Sequence, residues 1–189
     1  MPNINKKKII VDVDSTLWDF CYYFHKELSA INKDIPNWDT WKWDTPFKYV
    51  EAKYVLKAID YLHKAQESFS PFKDARTFLN DLSNNYHIII ASHRKPEYKI
   101  YLEKWLYKNK LKHDEVHTIV NKKKLFSDKD IVAIVDDCPD TLDAALEGGV
   151  LPIGIKYSWN KHCNQAVLLK DLTEINKYLK EKSSEMSKV

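Results

Sequence analysis

Acidic side chains stand at two points of the chain, each directly after a short apolar run. Asp12 and Asp14 follow the run Ile-Ile-Val, and Asp136 and Asp137 follow the run Ile-Val-Ala-Ile-Val. Short, almost wholly aliphatic runs are typical of strands buried on both faces of a parallel sheet. Ligands of open parallel sheets bind at the carboxyl ends of the strands. The four carboxylates are therefore expected to meet at one edge of a sheet.

A hydroxyl group and basic side chains follow two further strand-like runs. Ser92 and His93 come after His-Ile-Ile-Ile-Ala, and three consecutive lysines follow the weaker run at 115–120. A carboxylate can attack phosphorus and form an acyl-phosphate, while a cation and fixed donors offset the charge of the transferred group. Carboxylate oxygens suit Mg²⁺. The set therefore predicts Mg²⁺-assisted phosphoryl transfer to an aspartate.

A second carboxylate near the first can serve this reaction as a general acid and then as a base. Asp14 stands two residues after Asp12. Neighbouring carboxylates repel one another, which raises the pKa of one of them and helps that acid to stay protonated. We expect the raised pKa on the acid, Asp14.

Strand-like and helix-like segments alternate along most of the chain. This alternation predicts an α/β fold, a Rossmann-like parallel sheet sandwiched by helices with right-handed crossovers. Ser15 or Thr16 is expected to cap the first helix. Strands are predicted at 9–11, 87–91, 115–120, 131–135 and 150–155, and helices at 17–31, 73–83, 96–108, 139–147 and 172–182.

The stretch 32–70 interrupts the alternation because it contains no buried-strand run. Half of the aromatic residues lie between Trp18 and Tyr61, and a helical pattern begins at Pro46. We predict a small helical cap inserted after the first strand. The predicted boundaries are 1–16 and 71–189 for the α/β core and 17–70 for the cap. Aromatic residues at helical spacing either form the core of such a cap or contact a substrate.

Four segments together resemble the motifs of the haloacid dehalogenase (HAD) superfamily of phosphatases. They are Asp12-Val13-Asp14-Ser15-Thr16, Ser92 after a strand, a downstream lysine, and Asp136-Asp137 after another strand. The resemblance spans about residues 8–155 in the expected order. It implies that Asp12 is the nucleophile and forms an aspartyl-phosphate. It also implies that Asp14 is the general acid/base, with its backbone carbonyl on Mg²⁺.

The remaining motifs imply ligands for the phosphate and the metal. Ser92 would hold the phosphate with His93 beside it, and the motif lysine would neutralise phosphate and nucleophile. Lys124 fits the spacing best, with Lys122 and Lys123 as rivals. In the last motif Asp137 corresponds best to the metal ligand, with Asp136 adjacent in the water shell. Capping of the next helix is the alternative role for this Asp pair.

Within the superfamily the chain looks most like the 5′(3′)-deoxyribonucleotidases. The signals are the pair Asp19-Phe20, the helical cap and the aliphatic-Asp-Asp ending. This resemblance implies Mg²⁺-dependent hydrolysis of (deoxy)ribonucleoside monophosphates. Phe20 would stack on the base, and Trp41 and Trp43 are further substrate-binding candidates. The resemblance leaves three features of the substrate open: whether its sugar is deoxyribose or ribose, whether the phosphate is at the 5′ or the 3′ position, and which base is preferred.

Two positions depart from the nucleotidase pattern. Ser15 stands where these enzymes usually have glycine, and serine suits the site if the backbone there is not left-handed. The pair His93-Arg94 after Ser92 adds charge beside the expected phosphate and could alter specificity.

Composition excludes several other classes. Only three glycines occur, none at dinucleotide-loop or P-loop spacing. A net charge of +3 with arginine only at 76 and 94 disfavours a nucleic-acid partner. Three scattered cysteines, no signal-peptide pattern and no membrane-spanning run predict a soluble, cytoplasmic protein. His113-Asp-Glu-Val-His117 lacks the zincin pattern and is interpreted as a solvated loop.

Other functions remain in view. A polynucleotide 3′-phosphatase or a phosphatase of a small metabolite would use the same chemistry on another substrate. A catalytically silent HAD-like binding module would normally have lost Asp12 or Asp14, and both are present. The Trp-rich cap also leaves a homodimer interface open.

Overall fold

A six-stranded sheet forms the centre of the protein. The computed structural model describes residues 6–186. All neighbouring strands pair in parallel, in the order β3-β2-β1-β4-β5-β6. The strands are β1 (Lys8–Val11), β2 (His87–Ser92), β3 (Glu115–Thr118), β4 (Ile131–Val135), β5 (Leu151–Ile155) and β6 (Val167–Leu169).

Helices cover both faces of the sheet, as the alternation of elements predicts, and the α/β fold class is confirmed. The α-helices are α1 (Phe20–Ser29), α2 (Thr45–Tyr49), α3 (Ala52–Lys64), α4 (Ala75–Asn85), α5 (Lys99–Lys108), α6 (Pro139–Glu147) and α7 (Leu172–Met186). Short 3₁₀ turns lie at Trp38–Thr40, Gln66–Ser68, Pro96–Tyr98 and Lys122–Leu125. Within 6–186, no helix combines the length and apolar character needed to cross a bilayer.

The central strand shows why the sheet must be covered on both sides. Side chains of a strand point alternately to its two faces. Ile9 and Val11 belong to one buried cluster, and Ile10, between them, belongs to another with Ile89 and Ile134. Burial on both faces explains why β1 reads as a continuous aliphatic run rather than an alternating one.

The strand order changes direction between β1 and β4. The chain runs from β1 outward through β2 and β3, and then returns to β4 on the other side of β1. Such a switch point leaves a crevice at the carboxyl ends of the two central strands, where ligands of open α/β sheets bind. Asp12 directly follows β1 and Asp136 directly follows β4, so the fold brings the two acidic motifs together.

The first helix starts later than predicted. Ser15 and Thr16 do not cap it; the Asp19 carboxylate accepts the Tyr22 N–H, and α1 begins at Phe20. The backbone N–H groups of Thr16 and Leu17 instead both return to the Val13 carbonyl oxygen. The segment after β1 is therefore a tight turn that presents its side chains at the sheet edge.

Two further elements differ from the prediction. The helical pattern from Pro46 is divided into α2 and α3, because the backbone at Val50 is extended and its side chain is buried. Strand β6 was missed, since three half-buried residues give little periodicity.

Helices α1–α3 contribute side chains to a cavity at the carboxyl edge of the sheet. The cap boundaries at 17 and 70 stay a prediction.

Candidate active site

A cavity of about 640 Å³ lies at the carboxyl ends of the central strands. Its floor consists of charged residues from the turns after β1, β3 and β4. Its wall consists of aromatic and aliphatic residues from α1–α3 and the turns between them. We call these sets the floor (Asp12, Asp14, Lys122, Asp136 and Asp137) and the wall (Phe20, Trp41, Trp43, Phe47, Leu56 and Ile59).

Lys122 joins the two acidic motifs at the floor. Its ammonium group contacts Asp12 Oδ1 and donates to Asp136 Oδ2 at 2.6 Å. Lys124, which was predicted for this position, is exposed on the same 3₁₀ turn. Asn121 caps this turn by accepting the Lys123 N–H. In that conformation Lys122 is buried at the floor, Lys123 is exposed but still lines the cavity, and Lys124 does not line it.

The floor carries more negative charge than Lys122 balances. Burial raises the pKa of Asp12 to about 8; Lys122 opposes this, and the charges of Asp136 and Asp14 add to it. Burial together with the charges of Asp12 and Asp136 raises the pKa of Asp137 well above its usual value. Buried carboxylates that repel one another in this way favour a bound cation.

The donor set fits a small divalent cation. Asp12, Asp136 and Asp137 each offer a carboxylate oxygen, and these atoms lie within 4.8 Å of one another. Hard oxygen donors from one or two carboxylates, with positions left for water and phosphate, are the usual surroundings of Mg²⁺. All three residues are buried, so the ion would compensate charge that solvent does not reach.

Asp136 also fixes the backbone of its own motif. Its Oδ1 accepts the Cys138 N–H at 2.9 Å, while its Oδ2 binds Lys122. Cys138 is the N-cap residue of α6, and no side chain caps that helix by a hydrogen bond, so Asp136 does not have the capping role that was the alternative for this Asp pair. Gly154 on β5 lies against the backbone of Asp136. A Cβ atom added at position 154 would stand only 2.4 Å from the Asp136 carbonyl oxygen. A side chain at 154 would therefore displace this part of the floor.

Asp14 has surroundings unlike those of Asp12. Arg94 Nη2 donates to both Asp14 oxygens at 2.9 and 3.0 Å, His63 Nε2 lies 3.1 Å from Oδ2, and Trp18 Nε1 donates to Oδ1. Burial would raise the pKa of Asp14, but Arg94 and His63 more than reverse this and lower it. The expectation of a raised pKa on Asp14 is therefore wrong, and Asp12 and Asp137 have the raised values instead.

Of the predicted phosphate ligands from β2, His93 reaches the cavity. Ser92 has 0 % exposure. Its Oγ accepts from Arg94 Nε at 2.8 Å and donates to Asp14 Oδ2 at 3.2 Å. His93 lines the cavity with part of its side chain exposed. Partial burial of the ring and the nearby charge of Lys122 lower its pKa. Arg94 also lines the cavity, and its guanidinium group is paired with Asp14.

Ser15 adopts a left-handed backbone, contrary to the expectation that serine suits this position only if the backbone is not left-handed. Its φ is 59°. Two contacts hold it there: its Oγ lies 3.2 Å from Cys21 Sγ, and its carbonyl oxygen accepts from Tyr157 Oη at 2.8 Å. This conformation costs a serine about 1–2 kcal/mol relative to the right-handed region. The surrounding contacts must offset that cost.

All three cap aromatics predicted to bind substrate line the cavity. Phe20 packs against the His63 ring at 5.7 Å between centroids. Trp41 is only 3 % exposed and its indole N–H donates to the Pro36 carbonyl oxygen. Trp43 is 57 % exposed and lies at the mouth. Substrate contact by these residues stays a prediction.

Several site residues were not singled out from the sequence. His63 falls on the buried face of α3, where it looks like part of an apolar helix. Gln66 Oε1 accepts from Arg94 Nη1 at 2.6 Å and braces that side chain. Trp159 lines the cavity and donates to Asp137. Trp159 follows β5 by four residues. Its place near the carboxyl end of that strand could have marked it as a site residue, because the site lies at the carboxyl ends of the strands.

The His113–His117 segment takes no part in this site. His113 lies before β3, and its Nδ1 is 2.8 Å from the Leu111 carbonyl oxygen. His117 lies on β3 rather than in a loop, and its Nε2 is 2.8 Å from Glu115 Oε2. Glu115 Oε1 is 2.8 Å from His87 Nε2. The loop interpretation is therefore correct only for the start of the segment.

Similarity to known proteins lies in the fold. No family model matches the sequence, and no curated protein matches it. A haloacid dehalogenase-like hydrolase from Streptococcus pneumoniae superposes with a TM-score of 0.67 at 16 % identity, over 92 % of this chain and 98 % of that one. A predicted phosphoglycolate phosphatase from Haemophilus somnus gives 0.65 at 14 % identity, over 94 % and 100 %.

A β-phosphoglucomutase from Clostridium difficile gives a TM-score of 0.63 at 16 % identity, over 97 % of this chain and 99 % of that one. Each of these similarities spans almost the whole of both chains. The protein therefore has the fold of HAD-superfamily hydrolases, and phosphatases are among its structural neighbours.

Proposed function

We propose that the protein is an Mg²⁺-dependent phosphatase that hydrolyses (deoxy)ribonucleoside monophosphates through an aspartyl-phosphate on Asp12. The observation that carries this proposal is the position of Asp12. It lies on the cavity floor at the switch point of the sheet, bound to Lys122 and beside Asp136 and Asp137. The HAD-type fold supports the same reaction class.

In the first half-reaction, a carboxylate oxygen of Asp12 attacks phosphorus. Lys122 holds Oδ1, so we assign the attack to Oδ2. The bond between phosphorus and the ester oxygen breaks as the acyl-phosphate forms, and the leaving oxygen takes its proton from solvent, because Asp14 with its lowered pKa holds none to give. The Lys122 ammonium group offsets the charge that develops on the phosphoryl oxygens and holds Asp12 in place.

In the second half-reaction, water attacks the acyl-phosphate and regenerates Asp12. The bond between phosphorus and the Asp12 oxygen breaks, and inorganic phosphate leaves. Because Arg94 and His63 lower the pKa of Asp14, its carboxylate is the base that takes the proton of the attacking water, and 19 % of its side chain remains exposed at the cavity. Arg94 and His63 fix both of its oxygens, so its orientation is set before substrate arrives.

Asp12, Asp136 and Asp137 would hold the metal ion, with the Asp14 carbonyl as a further ligand in the HAD pattern. The bound ion supplies positive charge that the transferred phosphoryl group and the buried carboxylates share. His93 lines the cavity and would donate a hydrogen bond to a phosphate oxygen.

The wall supports a nucleoside as the leaving group. Phe20, Trp43 and Phe47 line the cavity. Stacking of a nucleobase on an aromatic side chain contributes about 1–3 kcal/mol of binding free energy per base. A volume of about 640 Å³ lies within the usual range for sites that enclose one small organic ligand.

The test is phosphate release with Mg²⁺ from 5′- and 3′-mononucleotides in ribo and deoxy forms. A 3′-phosphorylated oligonucleotide and several sugar phosphates complete the panel, and the Asp12→Asn protein is the blank. We expect selective release from mononucleotides. Release only from the oligonucleotide or from sugar phosphates would keep the chemistry and overturn the substrate. No release from any compound would favour a catalytically silent module.

A further inference from the structure

The turn that follows β5 makes direct contact with the floor. We call residues 157–160 the β5 turn. Trp159 Nε1 donates to Asp137 Oδ2 at 3.0 Å, and Asn160 Nδ2 donates to the Asp137 carbonyl oxygen at 3.1 Å. Both the side chain and the main chain of Asp137 are thus held by neighbouring residues of one turn.

The β5 turn is itself rigidly braced. The Tyr157 and Trp159 rings stack at 4.3 Å with 9° between their planes. Asn160 Oδ1 accepts the Tyr157 N–H at 2.8 Å, and its Nδ2 also donates to the Ile155 carbonyl oxygen at 2.9 Å. Trp159 and Asn160 are buried. Donors fixed in this way can impose an orientation on the group that accepts from them.

Asp137 needs such an orientation. It is buried beside Asp12 and Asp136, whose charges repel its own. Without a fixed partner, its carboxylate would lower its electrostatic free energy by turning away from these two groups. A hydrogen bond on Oδ2 leaves Oδ1 as the oxygen to face the other two carboxylates.

We propose that Trp159 is a positioning residue for the metal site, which holds Asp137 Oδ2 so that the other oxygen is presented to the ion. This proposal rests on the metal requirement of the proposed function. Outer partners that orient a metal ligand typically contribute a factor of 10–100 in metal affinity. The indole N–H of Trp159 lies in that position, in direct contact with the carboxylate.

The competing explanation is that a buried indole N–H simply needs any acceptor. Trp105 shows that case: it is fully buried, and its Nε1 donates to the Phe69 carbonyl oxygen at 2.7 Å, away from the floor. Trp105→Phe therefore removes an equivalent hydrogen bond without touching the site. It is the matched control for Trp159→Phe, and both variants keep an aromatic ring in the core.

The experiment measures Mn²⁺ binding to the full chain by the electron paramagnetic resonance signal of free Mn²⁺, with Mg²⁺ competition. This readout needs neither turnover nor tryptophan fluorescence. Trp159→Phe should raise the Mn²⁺ dissociation constant at least about tenfold, and Trp105→Phe should leave it within about twofold. Unchanged affinity in a folded Trp159→Phe protein would overturn the proposal.

A double-mutant cycle separates positioning from general destabilisation. If Trp159 acts through Asp137, Trp159→Phe should weaken Mn²⁺ binding no further in the Asp137→Asn background. Additive effects would contradict this route. Thermal unfolding checks that each variant folds. Should Trp159→Phe not fold, Asn160→Ala tests the same ligand through its main chain and should also weaken Mn²⁺ binding.

The outcomes distinguish this inference from the proposed function. Mn²⁺ binding that depends on Trp159, in a protein that releases no phosphate, would support the positioning role and reject the phosphatase. Phosphate release with Mn²⁺ affinity unchanged by Trp159→Phe would do the reverse. A wild-type protein that binds no Mn²⁺ and is not inhibited by chelators would reject the metal site together with its positioning residue.

Discussion

The floor and the wall of the cavity are built on opposite principles. On the floor, each charged side chain has fixed partners: Lys122 lies between Asp12 and Asp136, and Arg94 spans both oxygens of Asp14. On the wall, Trp43, Phe47 and Leu56 are each more than half exposed. The floor is positioned before any ligand arrives, whereas the rim of the wall presents apolar surface that a ligand would cover.

This difference separates the determinants of reaction from those of substrate choice. Burying charges costs desolvation free energy even when the charges are paired, and such costly arrangements are retained at sites of catalysis or metal binding. Exposed aromatic surface at a cavity mouth is available for the body of a substrate. Substitutions on the floor should therefore act on turnover with every substrate, and substitutions on the wall should act on KM for particular ones.

Removing the nucleophile should have the largest effect. Asp12→Asn replaces the attacking oxygen and relieves repulsion with Asp136 and Asp137, so turnover should fall by at least about 10⁴-fold while the fold survives. Phosphate release and thermal unfolding, measured side by side, check both parts. Retained activity would remove Asp12 from its role.

The lysine assignment predicts a smaller effect on the same floor. Lys122→Met should lower kcat by about 10²- to 10³-fold, as for other lost partners of developing charge. Lys124→Met is the matched control, since that side chain is exposed and on the same 3₁₀ turn; its kcat should stay unchanged. The reverse ranking of the two variants would restore Lys124 as the phosphate ligand.

The wall should respond through KM. Phe20→Ala removes a ring that lines the cavity beside His63. KM for mononucleotides should rise about tenfold, which corresponds to about 1.4 kcal/mol of stacking, and KM for p-nitrophenyl phosphate should change much less. Steady-state kinetics with both substrates make the comparison. An equal effect on both would argue against base stacking and would blur the division between floor and wall.

The smallest effect concerns the turn that links floor and wall. Ser15→Gly removes the left-handed penalty of about 1–2 kcal/mol but frees the unfolded chain, at a cost of about 0.5–1 kcal/mol. The free energy of unfolding, measured by urea denaturation, should therefore rise by up to about 1.5 kcal/mol. A loss of stability would mean that the Ser15 contact with Cys21 outweighs the backbone strain.

Much of the floor could be predicted from residue order alone. Aliphatic runs buried on both faces mark the central strands, and the residues just after them must lie at one sheet edge. Asp12, Asp136 and Asp137 were found in this way. In the structure, one carboxylate oxygen from each of them lies within 4.8 Å of the others, close enough for the three to share one metal ion. His93 was found for the same reason, because β2 is the neighbour of β1.

Other partners depended on three-dimensional packing. Ser92 and Arg94 stand at the end of β2 and bind Asp14 with their side chains; Arg94 and His93 line the cavity, and Ser92 does not. Lys122 rather than Lys124 is buried at the floor because a short turn capped by Asn121 begins at Lys122. The spacing of the lysines along the sequence does not show which of them such a turn will bury. His63 comes from a helix 49 residues after Asp14, and nothing in the local pattern of α3 marks it.

The sequence by itself determined the α/β fold and the edge where four carboxylates gather, since buried strands and their carboxyl ends follow from apolar patterning. Only the tertiary structure decided in which direction the pKa values of Asp12, Asp14 and Asp137 shift. Asp12 and Asp14 are two residues apart, yet the pKa of the first is raised by burial among other acids and that of the second is lowered by Arg94 and His63. Such surroundings arise from distant segments, because electrostatic free energy depends on distance in space and on burial rather than on separation along the chain.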